Sequence, residues 1–183
     1  VGSVGWRQNE QTFDAIRGEA KAGPVAVDLT YAIKQRTIFG RDAGPRTAFD
    51  GHFVLAGAGT KLGPLQGKLF AYLLDYDEDF FLANSSQTYG GFVTTAVPLG
   101  GKSKLNLRAS YARQSDYKSN PFDYAADYVN LEGGTTLAGF TVAAGWEKLG
   151  SHNGRAVQTP MATLHKFNGW ADVFLTTPAA GLE

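Results

Sequence analysis

Three histidines, His52, His152 and His165, are the side chains of this sequence best suited to acid–base chemistry near neutral pH. They lie far apart in the chain, and neither an HExxH zinc-site spacing nor a GxSxG nucleophile elbow accompanies them. A hydrolase can still assemble its Ser, His and carboxylate from distant segments. The sequence therefore predicts a protein that is not an enzyme, with a hydrolase as the minor alternative.

Two short motifs could bind ions. The run DYDEDF at 75–80 offers carboxylates to Ca²⁺, but it lacks the glycine and the terminal glutamate of an EF-hand loop. The glycine-rich AGAGTKLG at 56–63 resembles a phosphate-binding loop without its full motif or its following helix. We interpret the first as a solvated loop and the glycines of the second as turn residues. We therefore expect no metal and no cofactor.

The composition favours β-structure. The 183 residues include 23 Gly, 12 Phe, 8 Tyr and 3 Trp, with one Met and no Cys, and this profile favours strands and turns over helices. The 17 basic and 17 acidic residues balance, so no net charge attracts nucleic acid. No run approaches the roughly 20 apolar residues of a membrane-spanning helix, and no basic start with an apolar run marks a signal peptide.

The segment VAVDLTYAIKQR at 25–36 alternates apolar and polar residues along its length. This is the period of a strand with one apolar face, yet strands of soluble domains average only about 5–6 residues. Its apolar face comprises Val25, Val27, Leu29, Tyr31 and Ile33, and its other face comprises Ala26, Asp28, Thr30, Ala32, Lys34 and Arg36. The segments KLNLRASYAR and GFTVAAGWEK alternate in the same way.

Connections of two lengths divide the chain into repeats. Short glycine-containing turns occur at 22–24, 63–64, 98–102 and 133–139, and Gly23, Gly63, Gly100 and Gly139 follow one another at intervals of 40, 37 and 39 residues. Longer polar connections at 38–47, 77–88, 114–123 and 150–160 alternate with these turns. This pattern predicts up-and-down hairpins with about eight strands, at 11–21, 25–37, 49–62, 65–76, 88–97, 104–114, 123–132 and 139–149.

Such strands are typical of an antiparallel transmembrane β-barrel. Its strands need about 9–11 residues, carry apolar side chains outward and polar ones inward, and join through short turns on one side and longer loops on the other. Aromatic residues that end the outward sets suit a membrane–water interface; they are Tyr31, Phe53, Tyr89, Tyr111 and Trp146. The alternative is a soluble β-barrel binding module whose apolar faces point to an interior core. Strand length and alternating loop lengths favour the membrane barrel.

Three segments carry a family resemblance: GWRQNEQTFDAIRGE at 5–19, GPVAVDLTYAIKQRTIFG at 23–40 and TPMATLHKFNGWADVFLTTPAAGLE at 159–183. They resemble segments of the alginate-export family of outer-membrane β-barrels, of the porin-like alphaproteobacterial type. The resemblance covers essentially the whole chain, 1–183, as one barrel domain. It implies a Gram-negative outer-membrane location with lipid and lipopolysaccharide as neighbours, and a lumen that passes solute. It also implies that strands are missing at both ends, so the eight would be an arc of a larger barrel or a fragment that closes differently in isolation.

The polar face of the strands predicts the residues that contact solute. With the even positions of 25–37 and their equivalents facing the lumen, the cations there are Arg17, Lys34, Arg36, Lys68, Lys104 and Arg108, and the anions are Glu19, Asp28, Asp50 and Glu147. The site residues are then Arg17, Asp28, Lys34, Arg36, Lys68, Arg108 and Glu147. A polyuronate would need a strongly cationic path, whereas this lining is mixed. It favours a passive channel for small anionic or saccharide solutes.

Two features lie outside this lining. Arg113 is on the outward face at a strand end, where we expect it to contact lipid headgroups or lipopolysaccharide phosphates. The stretch HKFNGWAD, with His165, Lys166 and Trp170, is either an inward loop that constricts the pore or an ordinary extracellular loop.

Overall fold

The computed structural model describes residues 10–39, 42, 44–101, 103–137, 140–162 and 176–183. Its main element is one antiparallel sheet of eight strands, each paired with its neighbour in chain order. The strands are β1 (Thr12–Ala22), β2 (Val25–Arg36), β3 (Ala48–Leu62), β4 (Leu65–Tyr76), β5 (Ser86–Gly100), β6 (Ser103–Asp116), β7 (Ala125–Leu137) and β8 (Phe140–Leu149). The predicted all-β class and up-and-down strand order are confirmed. Within the described residues the sheet is open, because β1 and β8 form its two edges.

The remaining regular elements are short and lie in the connections. Two 3₁₀ turns span Gly44–Arg46 and Leu82–Asn84, and a small hairpin pairs β9 (Ser151–His152) with β10 (Arg155–Ala156). The described residues contain no helix with the length and apolarity needed to cross a membrane.

Two tight turns explain the regular hairpins at one end of the sheet. Gly23 and Gly63 have φ angles of +58° and +59°, and each is followed by a proline, Pro24 and Pro64. A glycine with positive φ fits the first central position of a type II′ turn, whose twist matches that of the flanking strands. The proline then supplies the negative φ of the second position. Short turns therefore gather at one end of the sheet and the long connections at the other.

One predicted turn is shorter than expected. The chain reverses within the predicted stretch GGTTLAG at 133–139, but β7 continues to Leu137, which pairs with Phe140, the first residue of β8. Gly134 lies opposite Ala143, and a Cβ added to this glycine would lie 3.1 Å from the Cβ of Ala143. Gly134 therefore allows close packing within a strand. Similarly, β5 runs to Gly100, into the predicted turn at 98–102.

The sheet buries its core on one face, which we call the inner face. Two buried clusters lie near the long connections: Ala32, Phe49, Phe53, Leu74, Tyr76 and Met161 in one, and Tyr124, Ala126, Leu149 and Val157 in the other. Met161 and Val157 belong to residues 155–162, which pack against this face and which we call the strap. Phe53 was expected to point outward, but it is fully buried here, because its partner across the ladder is the buried Ala32.

The opposite face, the outer face, carries the apolar stripes. Its exposed large side chains are Ile16, Val25, Val27, Leu29, Tyr31, Ile33, Leu65, Leu69, Tyr89, Val93, Val97, Leu107, Tyr111, Leu131, Phe140, Val142 and Trp146. On β6, for example, Leu107 and Tyr111 are exposed while Ala112 and Gln114 on the other side are buried. The predicted alternation is thus confirmed for β6 and β8 and, as far as Ile33, for β2, with the apolar sets directed away from the core.

Candidate functional site on the inner face

Five of the seven predicted site residues lie on the inner face. Residues directly opposite in an antiparallel ladder share a face, and alternate residues of one strand do so as well. Counted in this way from the buried Ala32, Ala112 and Leu149, the inner face holds Arg17, Asp28, Lys68, Arg108 and Glu147. The same count places Glu19 and Lys104 there. Whether these side chains contact a solute stays a prediction.

The inward placement of Lys34 and Arg36 is wrong. The register between β2 and β3 shifts between Ala32 and Lys34, and a bulge of this kind inserts one residue and reverses the facing beyond it. Gln35 returns to the inner face instead: it is 2 % exposed. Its Oε1 accepts a hydrogen bond of 3.0 Å from the Tyr76 hydroxyl.

Beyond this bulge, ion pairs form on the outer face. Lys34 Nζ lies 2.6 Å from Asp50 Oδ1, and Arg36 Nη2 lies 2.6 Å from Asp14 Oδ2. Asp50, which was predicted as a lumen anion, is therefore also misplaced. The apolar set of β2 ends at Ile33, and the polar run Lys34, Gln35 and Arg36 does not by itself show which of its members faces inward.

Asp28 is the centre of an ion network on the first four strands. Its Oδ2 accepts a hydrogen bond of 2.8 Å from Lys68 Nζ, and its Oδ1 lies 3.7 Å from Arg17 Nη2. Arg17 also pairs with Glu19 at 2.7 Å. Gly57 makes room for this network, since a Cβ there would lie 2.5 Å from Asp28 Oδ2. Two cationic and two anionic side chains thus lie together on the inner face, and their charges balance.

The later strands combine charges with aromatic rings. The Arg108 guanidinium lies 4.3 Å from the centroid of the Phe92 ring, a cation–π distance. Glu147 Oε1 accepts a hydrogen bond of 2.6 Å from the Tyr128 hydroxyl. Sequence reasoning missed both aromatic partners. Neither β5 nor β7 carries a predicted site residue, so no count along these strands leads to Phe92 or Tyr128. The pairing register is needed, which sets Asn130, two residues from Tyr128, opposite Glu147.

The strap is fixed to the inner face by glutamine side chains. Gln114 Nε2 donates to the Gln158 carbonyl at 2.8 Å, and Gln114 Oε1 accepts from the Gln158 N–H at 2.7 Å. At the other end of the strap, Gln11 Nε2 donates to the Met161 carbonyl at 3.0 Å. These side-chain bonds take the place of backbone strand pairing. The strap is therefore attached to the eight-stranded sheet without being one of its strands. The stretch 165–172, for which a constricting loop and an ordinary extracellular loop were the two alternatives, lies outside the described residues.

Tyr124 completes the attachment of the strap. Its hydroxyl donates to Gln114 Oε1 at 3.1 Å. Burial raises the pKa of Tyr124 to about 12, although the charge of Arg155 opposes the shift. The hydroxyl therefore keeps its proton and remains a donor throughout the neutral range.

The histidines occupy separate places. His52 lies on the outer face, where its Nδ1 and the Tyr31 hydroxyl are 2.6 Å apart. His152 Nδ1 accepts the N–H of Ala125 at 3.3 Å, and His165 lies outside the described residues. In the part of the chain that the structure covers, neither ring bonds to a serine hydroxyl. In that part, no group of three or more His, Cys, Asp or Glu side chains is placed to hold a metal ion.

Comparison with known proteins adds no assignment to this geometry. No family model, curated protein or solved structure matches the chain. The resemblance to alginate-export barrels therefore stays a prediction from the sequence.

Proposed function

We propose that this chain forms the wall of an outer-membrane β-barrel channel of the alginate-export, porin-like type, which passes small anionic or saccharide solutes without a cofactor. The observation that carries the proposal is the distribution of side chains on the sheet: the exposed outer face is apolar, and charged residues lie on the inner face. On the outer face Leu69 is 69 % exposed and Val142 is 62 % exposed, while the inner face holds charged residues such as Asp28 and Lys68. Apolar surface left in water costs about 25 cal/mol per Å² relative to an apolar medium, and lipid removes that cost.

Strand length supports a membrane span. β2 and β4 each have 12 residues, which corresponds to about 40 Å at roughly 3.3 Å per residue. Tilted by about 45°, such a strand crosses about 28 Å, close to the roughly 30 Å of a bilayer core. The tight turns at one end and longer connections at the other match the asymmetry of outer-membrane barrels.

Aromatic and basic residues on the outer face support a membrane–water interface near the long connections. The Tyr111 hydroxyl donates to Asp127 Oδ1 at 2.7 Å, and Arg113 pairs with the same carboxylate at 3.0 Å. Trp146 Nε1 donates to Glu183 at 3.0 Å. Rings with an apolar body and a bonded polar tip suit this depth. A position at the headgroups also agrees with the expected contact of Arg113 with lipid or lipopolysaccharide.

The two edges of the sheet add a requirement. Unpaired backbone groups cannot remain in hydrocarbon, so β1 and β8 need partners in the membrane. Further strands, pairing of β1 with β8, or a second copy would each complete a barrel. Solute would then diffuse through a water-filled lumen whose mixed charges transiently replace its hydration.

Single-channel recording tests the proposal. The protein would be refolded in detergent and added to a planar bilayer, with detergent-free protein as the control. We expect discrete conductance steps from the refolded sample alone. A protein that is monodisperse without detergent and gives no steps would contradict the channel and favour the soluble binding module.

A further inference from the structure

A cavity of about 370 Å³ lies between the strap and the inner face. Its walls are mainly apolar, and they include Phe70, Tyr72 and Leu74 of β4 and Met161 of the strap. The polar groups of Tyr128 and Glu147 reach it from β7 and β8. A space of this size holds a ring compound, at the small end of known ligand sites.

Two aromatic side chains in the wall of the cavity stack against each other. The rings of Phe70 and Tyr72 stack with centroids 4.8 Å apart and planes inclined by 21°. Gly90 makes this possible on the neighbouring strand, because a Cβ there would lie 2.7 Å from Phe70 Cζ. An aromatic ring that is held by stacking on one side can stack with a ligand ring on its other face.

One carboxylate gives the cavity its charge preference. Among the described residues that line it, Glu147 is the only acidic or basic one. A carboxylate accepts about four hydrogen bonds, and the Tyr128 hydroxyl supplies one to Glu147. A solute with a hydrogen-bond donor would supply a further hydrogen bond to the Glu147 carboxylate. A solute carboxylate would instead meet a like charge in surroundings of low polarity.

We propose that this cavity binds neutral, hydroxylated ring solutes, which stack on the Tyr72 ring and donate a hydroxyl hydrogen bond to Glu147, and that it discriminates against the matching carboxylates. The inference rests on the proposed function, since it names the solute class of the same inner face. It selects the saccharide-like solutes over the anionic ones.

The single methionine of the sequence provides a direct probe. Met161 lines the cavity, so ¹³C-methyl labelling of methionine yields one NMR signal from the site. The chain would be folded in a phosphocholine detergent, because sugar-headed detergents would compete. Phenyl β-D-glucoside and phenyl β-D-glucuronide serve as matched neutral and anionic ligands. We expect a saturable shift with the glucoside and at least tenfold weaker binding of the glucuronide.

Three variants test which side chains are responsible for the binding and for the discrimination between the two ligands. Glu147→Gln should reduce the difference between the two ligands to less than about threefold, by removal of the like charge. Tyr72→Leu should weaken both ligands about equally, because the stacking surface is lost. Glu132→Gln, on the inner face but outside the cavity lining, should leave the affinities of both ligands unchanged. An unchanged methyl signal without ligand verifies that each variant is folded.

The outcomes separate this inference from the channel. A shift that does not saturate, or equal affinities for the two ligands, would overturn the binding site. Conductance steps from a protein that shows no such binding would keep the channel and reject the site. Binding without conductance would keep the site and reject the channel.

Discussion

Replacing Leu107 with arginine is expected to destabilise the folded protein in a bilayer by about 2–4 kcal/mol, the cost of an arginine facing lipid near the membrane centre. Leu107 lies on the outer face of β6 and is 40 % exposed. Its neighbour Asn106 faces inward, is also exposed and lies opposite Ala96 and Gly134, which carry no charge. The matched control Asn106→Arg should therefore cost less than about 1 kcal/mol. Equilibrium unfolding by denaturant in lipid vesicles measures both values.

A comparison of the two variants shows whether lipid or water covers the outer face. If water covered Leu107, its arginine variant would behave as an ordinary surface substitution, within about 0.5 kcal/mol of the parent. Equal free energies of unfolding for Leu107→Arg and Asn106→Arg would contradict a membrane-facing outer surface.

Asp28→Asn should shift the selectivity of the channel towards anions. The substitution leaves Lys68 and Arg17 without the carboxylate that contacts both. Removing one negative charge about 6 Å from the solute path changes the energies of a passing cation and a passing anion by about 0.7 kcal/mol each in water, in opposite directions, so the anion-to-cation permeability ratio should rise by up to about tenfold. The reversal potential in a salt gradient near 0.1 M reports this change, because screening there extends over about 10 Å.

Asp50→Asn is the matched control for the selectivity test. Asp50 also pairs with a lysine, Lys34 at 2.6 Å, but on the outer face. Its removal should leave the reversal potential unchanged. Equal shifts for the two variants, or a shift for Asp50→Asn alone, would contradict the assignment of the inner face as the lumen.

Much of the fold could be predicted from the sequence because strand period is a local property. The segment 25–36 alternates strongly, and its stripe from Val25 to Ile33 is exposed on one face as expected. The tight turns were predictable from Gly23 and Gly63, whose positive φ suits a glycine before proline. These features depend only on neighbouring residues.

The errors arose where distant contacts decide the structure. The facing of Lys34 depends on the β2–β3 register, which shifts after Ala32, and the polar run 34–36 does not show locally which residue turns inward. The burial of Phe53 follows from that same ladder. The strap was also missed, since its position depends on Gln114, 44 residues from Gln158 in the chain. Contacts of this range leave no periodic pattern in either segment.

The strap changes how the inner face would work as a lumen. The strap covers the cavity beside Glu147. Its hydrogen bonds go to Gln11 and Gln114 and not to the Asp28 network on the first four strands. A solute would thus meet two chemically distinct regions, one of balanced ion pairs and one of aromatic rings with a single carboxylate. The two selectivity experiments address these regions separately.

A nitroxide scan of β2 tests the central claim most directly, because the sequence has no cysteine and each single-cysteine variant carries one label. In vesicles, labels at positions 25, 27, 29, 31 and 33 should collide with oxygen dissolved in lipid, and labels at 26, 28 and 30 with a water-soluble nickel reagent. Labels at 34 and 36 should follow the lipid-facing set, because the bulge after Ala32 reverses the facing. Odd positions shielded from both reagents, or open to nickel on both faces, would contradict a sheet whose apolar face lies against lipid.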